Sequence, residues 1–205
     1  MRRLLLLSAA LLSAPPAAAQ GAAVSTGPTC TAPWDGLDPA TLRPARVTAR
    51  RPLLTLASGE LHPTGVMTGD LVLQGASMGG RRCTYVPGDA SRTGLLRDQE
   101  TQPLTVSTLT PGTWERDANA GLTLTRQANQ LRLTGMALFP TAGGSVNAGH
   151  LNGPLRRAGT AAPWLYADGD CTAALWPVGT WLLVLDSGTC GGLNVSFSGL
   201  YRRVR

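Results

Sequence analysis

The sequence predicts an all-β chain, and three observations carry that expectation. From about Val47 onward apolar residues fall in short alternating runs, Gly, Pro, Asn and Asp interrupt those runs at close intervals, and no window holds a long 3.6-residue period. Composition agrees: 205 residues, 43% hydrophobic, 15% charged and 5% aromatic, suit one ordinary domain or two small ones.

The first element is a leader. Arg2 and Arg3 precede an apolar run from Leu4 to Leu12, and small residues follow to Ala17-Ala18-Ala19. That layout is a secretory signal peptide, residues 1–19, cut after Ala19. The run is shorter than the roughly 20 residues a helix needs to cross a bilayer, and no later stretch approaches that length. A periplasmic or secreted, non-spanning protein is expected. No Cys lies directly after the cleavage point, which argues against a lipid anchor. Residues 20–44, rich in Ala, Pro, Thr and Gly with Trp34 as their large side chain, read as an extended arm or linker.

A first β-domain is expected over 45–110, with strands at Val47–Arg51, Leu53–Ala57, Asp70–Gln74, Arg82–Val86, Gly94–Arg97 and Leu104–Leu109. Pro111-Gly112 marks the next boundary. A second domain over 111–205 is expected to hold eight strands: Thr113–Arg116, Leu122–Arg126, Gln130–Phe139, Ser145–His150, Trp164–Tyr166, Asp170–Trp176, Trp181–Asp186 and Leu193–Val204. Ala128-Asn129 and Pro177-Val178-Gly179 are its hairpin turns. That many short strands suit a compact antiparallel barrel with a filled core, whose closure removes exposed edges.

Four Cys remain after cleavage, which in an exported chain reads as two disulfides with three possible pairings. The short connection favours Cys171–Cys190 and leaves Cys30–Cys83. No paired C-x-x-C spacing supports a metal site. All 18 cations are Arg, and removing Arg2 and Arg3 lowers the formal charge from +6 to +4. With neither Lys nor Ile in the chain, Arg reads as the cation of a GC-rich coding bias, so nucleic acid is not an expected partner. The lack of Lys excludes a Walker A loop and a lysine Schiff base, and only His62 and His150 are available for histidine chemistry.

Two resemblances follow from particular residues. Thr68-Gly69-Asp70-Leu71-Val72-Leu73 and the short strand Thr93–Arg97 resemble the bacterial SH3-like domain over Ala45–Pro103, with Leu95 where that domain usually has Trp. The end of the chain, Cys190-Gly191-Gly192-Leu193-Asn194-Val195-Ser196-Phe197-Ser198-Gly199-Leu200-Tyr201 followed by Arg202 and Arg203, is similar to the end of a largely uncharacterised family of small secreted bacterial β-proteins. In that family an SH3-like segment precedes the terminal β-domain. The combined expectation is an SH3-like small barrel followed by a compact eight-stranded antiparallel barrel.

Several motifs compete with plain turns. Gly75-Ala76-Ser77-Met78-Gly79 fits G-x-S-x-G, but the helix that a nucleophile elbow requires does not follow. His150 lies between Asn147 and Asn152, a set suited to polar recognition. Asp168-Gly169-Asp170 lacks the further carboxylates of a calcium loop, and Asn194-Val195-Ser196 fits the glycosylation pattern. Gly112-Thr113-Trp114 with Arg202 and Arg203 resembles the lipocalin arrangement of a Trp covered by a last-strand Arg.

The leading expectation is an exported, non-enzymatic cell-envelope binding module without cofactor or metal. Its partner would be a wall polymer or a protein: exported SH3-like domains often bind peptidoglycan, and small disulfide-bonded eight-stranded barrels include bacterial inhibitors of host lysozymes. Binding is expected at Asn147, His150 and Asn152; in a lysozyme inhibitor either the loop Thr141–Ser145 or the segment Asn147–Asn152 would be the insertion element. The alternatives are a serine-type hydrolase using Ser77 and His150, and a calycin-type small-molecule carrier with Trp114 under the barrel floor.

Overall fold

The structure, a computed structural model, describes Cys30 and residues 38–204 apart from Ala158. The expected leader and most of the expected arm, Trp34 included, lie outside the described residues. The fold is almost wholly antiparallel β, in two sheets.

The first sheet holds β1 (Arg43–Val47), β2 (Leu71–Met78), β3 (Arg81–Val86), β4 (Asp89–Arg97) and β5 (Thr101–Pro103), in the order β4-β3-β2-β1-β5. A 3-10 turn, Asp98–Glu100, connects β4 to β5. Three expected strands fall elsewhere. The strand expected at Val47–Arg51 runs over Arg43–Val47, because Thr48 N already leaves the ladder to donate to Glu100 O at 2.8 Å. Leu53–Ala57 contributes only a bridge at Thr55, which meets both Leu61 and Leu95. Leu104–Leu109 is not a strand: Leu104 and Leu109 are apolar because the connector packs along both cores.

The second sheet holds β6 (Gly112–Asp117), β7 (Ala120–Gln127), β8 (Gln130–Pro140), β9 (Val146–Pro154), β10 (Arg156–Arg157), β11 (Trp164–Asp168), β12 (Cys171–Val178), β13 (Trp181–Asp186) and β14 (Gly199–Arg203). Its order is β10-β11-β12-β13-β14-β6-β7-β8-β9, nine strands where eight are expected from sequence. The extra one, β10, has two residues, too few to show any alternation. The sheet curls until its ends meet. Asn152 N on β9 donates to Tyr166 Oη on β11 at 3.2 Å, so the barrel is nearly closed. Trp114, Leu133, Leu151, Tyr166, Phe197 and Tyr201 fill its interior.

β12 and β13 are apolar on both faces, which only makes sense if both faces are covered. Ala173 and Leu175 point into the barrel, as do Leu182 and Val184. Ala174, Trp176, Val178 and Leu183 point outward and join Leu42, Leu71, Leu73, Tyr85 and Leu95 of the first half in one core. The two sheets therefore share a hydrophobic interior. The opposite face of the first sheet buries Ala45, Val72 and Leu96 beneath Leu54 and Val66, which come from the long β1–β2 connection. The hairpin expected at Pro177-Val178-Gly179 turns instead at Gly179-Thr180, with Pro177 and Val178 still paired to Leu182 and Trp181.

Both disulfides are the favoured pair. Cys171–Cys190 ties β12 to the β13–β14 connection, and Cys30–Cys83 ties the segment before β1 to β3. Two such bonds fit an oxidising compartment. No helix among the described residues is long and apolar enough to cross a membrane.

Candidate functional site

Period-2 alternation sends every second residue of β6 to β9 outward, and register lines those residues up in rows. Glu115 faces Gly121, Gly121 faces Met136, and Met136 faces His150. One step along, Thr113, Thr123, Thr134 and Asn152 form a parallel row. The missing side chain at Gly121 leaves a depression, and the two rows line an open groove of about 680 Å³ across four strands. Glu115, Met136 and His150 are exposed, and neither Glu115 nor His150 has a hydrogen-bond or ion-pair partner among the described residues.

The geometry decides what this groove can do. Three interstrand steps of about 4.8 Å put Glu115 and His150 roughly 14 Å apart, too far to pass a proton between them. They can instead contact an extended ligand at separate points.

Of the residues expected to bind, His150 and Asn152 share this face. Asn152 Oδ1 accepts from Arg132 Nη2 at 2.9 Å, which fixes the amide at the rim. Asn147 does not join them. It projects from the other face of β9, and its Nδ2 donates to Leu193 O at 2.7 Å, holding the β13–β14 connection. Met136, Glu115 and the threonines escaped the sequence reading because β6 to β8 meet only after their hairpins are registered. Thr123 and Thr134 were the available signal, since both alternate with buried Leu.

The other motifs resolve into structure. Ser77 lies in β2 beyond a bulge, with Oγ donating to Asp98 Oδ2 at 2.5 Å, and Asp98 also pairs with Arg82 at 3.2 Å. A hairpin follows it, and no histidine reaches it among the described residues. His62 is bound to Ser91 O at 2.6 Å in the β1–β2 connection. Gly169 takes a positive φ of 57° in the β11–β12 turn, so Asp168 and Asp170 flank a hairpin. No cluster of three or more metal-binding side chains occurs among the described residues. Trp114 is buried and Arg203 is its direct cross-strand partner, as expected, but the cation–π contact falls elsewhere: Arg202 stacks 4.4 Å from the Trp181 ring, and Arg203 donates to Pro111 O at 2.6 Å.

The terminal motif has a structural meaning at each position. Asn194 turns the chain with φ 64°, so Val195 and Phe197 enter the barrel core while Ser196 and Ser198 face Asp186. Asp186 Oδ1 accepts from Ser196 Oγ at 2.8 Å, from Ser198 N at 3.0 Å and from Ser198 Oγ. Arg116 Nη1 donates to Ser196 O and Ser198 O at 2.8 and 2.9 Å, and Tyr201 Oη donates to Phe197 O at 2.9 Å.

The chain has no significant match among family models, curated proteins or solved structures. Function must be argued from the site itself.

Proposed function

We propose that this protein is an exported, non-enzymatic binding module of the cell envelope that lays a wall polymer across the outer face of β6 to β9. The observation that carries the proposal is the four-strand groove with unengaged Glu115 and His150 at its ends and a threonine row beside it. Two further features support it. The barrel interior is packed with aromatic and leucine side chains, which favours binding on the surface over carriage inside. The first sheet runs in the order β4-β3-β2-β1-β5 with a 3-10 turn before its last strand, which supports the resemblance to SH3-like domains. The charge of +4 after leader removal favours an anionic wall polymer over a basic lysozyme.

The test is retention on insoluble peptidoglycan. The parent chain is expected to be retained and Gly121→Trp to be lost to the supernatant, because an indole there fills the groove. Only Trp114 O lies within 4 Å of a Cβ at this position, at 3.7 Å, so the backbone admits a side chain there, and a circular dichroism spectrum matching the parent checks that the fold is kept. Equal retention of both chains, or of neither, would sink the proposal.

A protein partner, as in lysozyme inhibition, is the second reading. Exposed Phe139, Val146 and Leu193 surround the turn at 141–145 and support it. A panel of lysozymes assayed with Val146→Asp as control separates the two: inhibition that this variant abolishes would replace the polymer reading.

A further inference from the structure

A second cleft, of about 310 Å³, opens along the seam between the two sheets. One wall carries Arg46 of β1 and Arg92 of β4, and the other carries Trp181 of β13 and Leu200 of β14, with Leu71 and Val86 completing an apolar floor. Arg46 is exposed and has no hydrogen-bond or ion-pair partner among the described residues. Arg92 is held in place by Asp89, whose carboxylate takes its Nε at 2.9 Å. The cleft lining also holds one carboxylate, Asp70, whose Oδ2 accepts from Met67 N at 2.9 Å. Arg202, stacked on Trp181, adds a third guanidinium beside the seam.

Arg46, the unpaired cation of this lining among the described residues, and the Nη groups that Arg92 leaves outside its Asp89 pair face an apolar wall, a division that suits an anionic head on a short apolar body. The volume admits a residue or two and no polymer. We infer that the seam is a site for the free carboxylate end of a short apolar peptide, with Arg46 and Arg92 at the carboxylate and Leu71, Val86, Leu200 and the Trp181 edge around the terminal side chain. This site lies apart from the β6–β9 groove and does not depend on the polymer proposal.

The experiment is a ¹⁵N NMR titration of the disulfide-bonded chain with N-acetyl-alanyl-alanine, with its C-terminal amide, and with inorganic phosphate. The acid is expected to shift the Trp181 indole and the Leu200 amide, the amide compound to leave them unmoved, and phosphate to act far more weakly. Arg46→Gln should weaken the acid by roughly tenfold, the loss expected for one charge-assisted hydrogen bond. Arg126→Gln, near the end of β7 and outside the lining of either cleft, should change nothing, and thermal unfolding of both variants should match the parent. Equal shifts from acid and amide, an equal response to phosphate, an unaltered response in Arg46→Gln, or no shift at millimolar peptide would each overturn the assignment.

Discussion

Asp186 is a buried carboxylate held by neutral donors from Ser196 and Ser198, and it couples the β13–β14 connection to the end of β13. Replacing it with Ala leaves the Ser196 and Ser198 hydroxyls without their acceptor and the Ser198 N–H with Ser196 Oγ alone, at 3.0 Å. Asp186→Ala is expected to lower unfolding free energy by about 3 kcal/mol, read as a fall in urea midpoint at constant slope. Tyr201, close by, sets a pH limit. Burial is the main cause that pushes its hydroxyl above the ordinary 10.0, with Arg116 opposing and Asp186 and Asp117 adding to the rise. A raised native pKa favours the neutral phenol, so its stabilising share is full below 10.0 and is lost as pH climbs beyond it. Tyr201→Phe should therefore be the less stable chain at neutral pH and show a shallower alkaline decline. A parallel decline in both chains would contradict this. None of this network was legible from sequence, since Asp186-Ser187-Gly188 and the two serines read as a turn and a strand until tertiary contact brings them together.

At the scale of elements, the β13–β14 connection is the main departure from expectation. Val195, Phe197, Gly199 and Tyr201 alternate like a strand, yet only Gly199–Arg203 pairs as one. The earlier residues alternate because they plug the barrel mouth, and their backbone bonds go to Arg116 and to the Asp186 side chain instead of a ladder. The plug needs close backbone approach. A Cβ on Gly149 would stand 2.6 Å from Cys190 O, and one on Gly191 2.7 Å from the Gly149 Cα. Gly149→Ala is expected to destabilise by about 2 kcal/mol, while Gly121→Ala on the same barrel, where a Cβ makes only an ordinary contact at 3.7 Å, should cost less than half of that. Differential scanning calorimetry of the two variants gives the comparison. Removing the disulfide that anchors the plug, through Cys171→Ser with Cys190→Ser, should cost about 3 kcal/mol, the loop-closure value for a separation of 19 residues. That pairing was readable from spacing alone, whereas β10 was not, for two residues carry no period.

For the whole molecule, the all-β class and most strands of the nearly closed barrel were visible in run lengths and turn residues. The shared core was not. Ala173–Val178 and Leu182–Leu185 are unbroken apolar runs, the pattern of strands covered on both faces, but a sequence does not say what lies on the second face. Trp176, fully buried between the sheets, is the side chain on which that union turns. Trp176→Ala should cost about 4 kcal/mol and expose the seam. Because the core is common, near-UV and far-UV circular dichroism should report one coincident unfolding transition for the parent chain. Two separated transitions would show that the halves are energetically independent.

The two-faced β12 also bears on how such a chain could be assembled from parts. A gene segment encoding residues 111–205 alone would present Ala174, Trp176, Val178 and Leu183 to water as one contiguous apolar patch, an aggregation liability in any exported product. Shuffling the terminal barrel onto a new neighbour therefore demands either a replacement sheet of matching shape or simultaneous polar substitutions on β12 and β13. The junction at Pro111, which looks like a natural place to cut, is a poor recombination point.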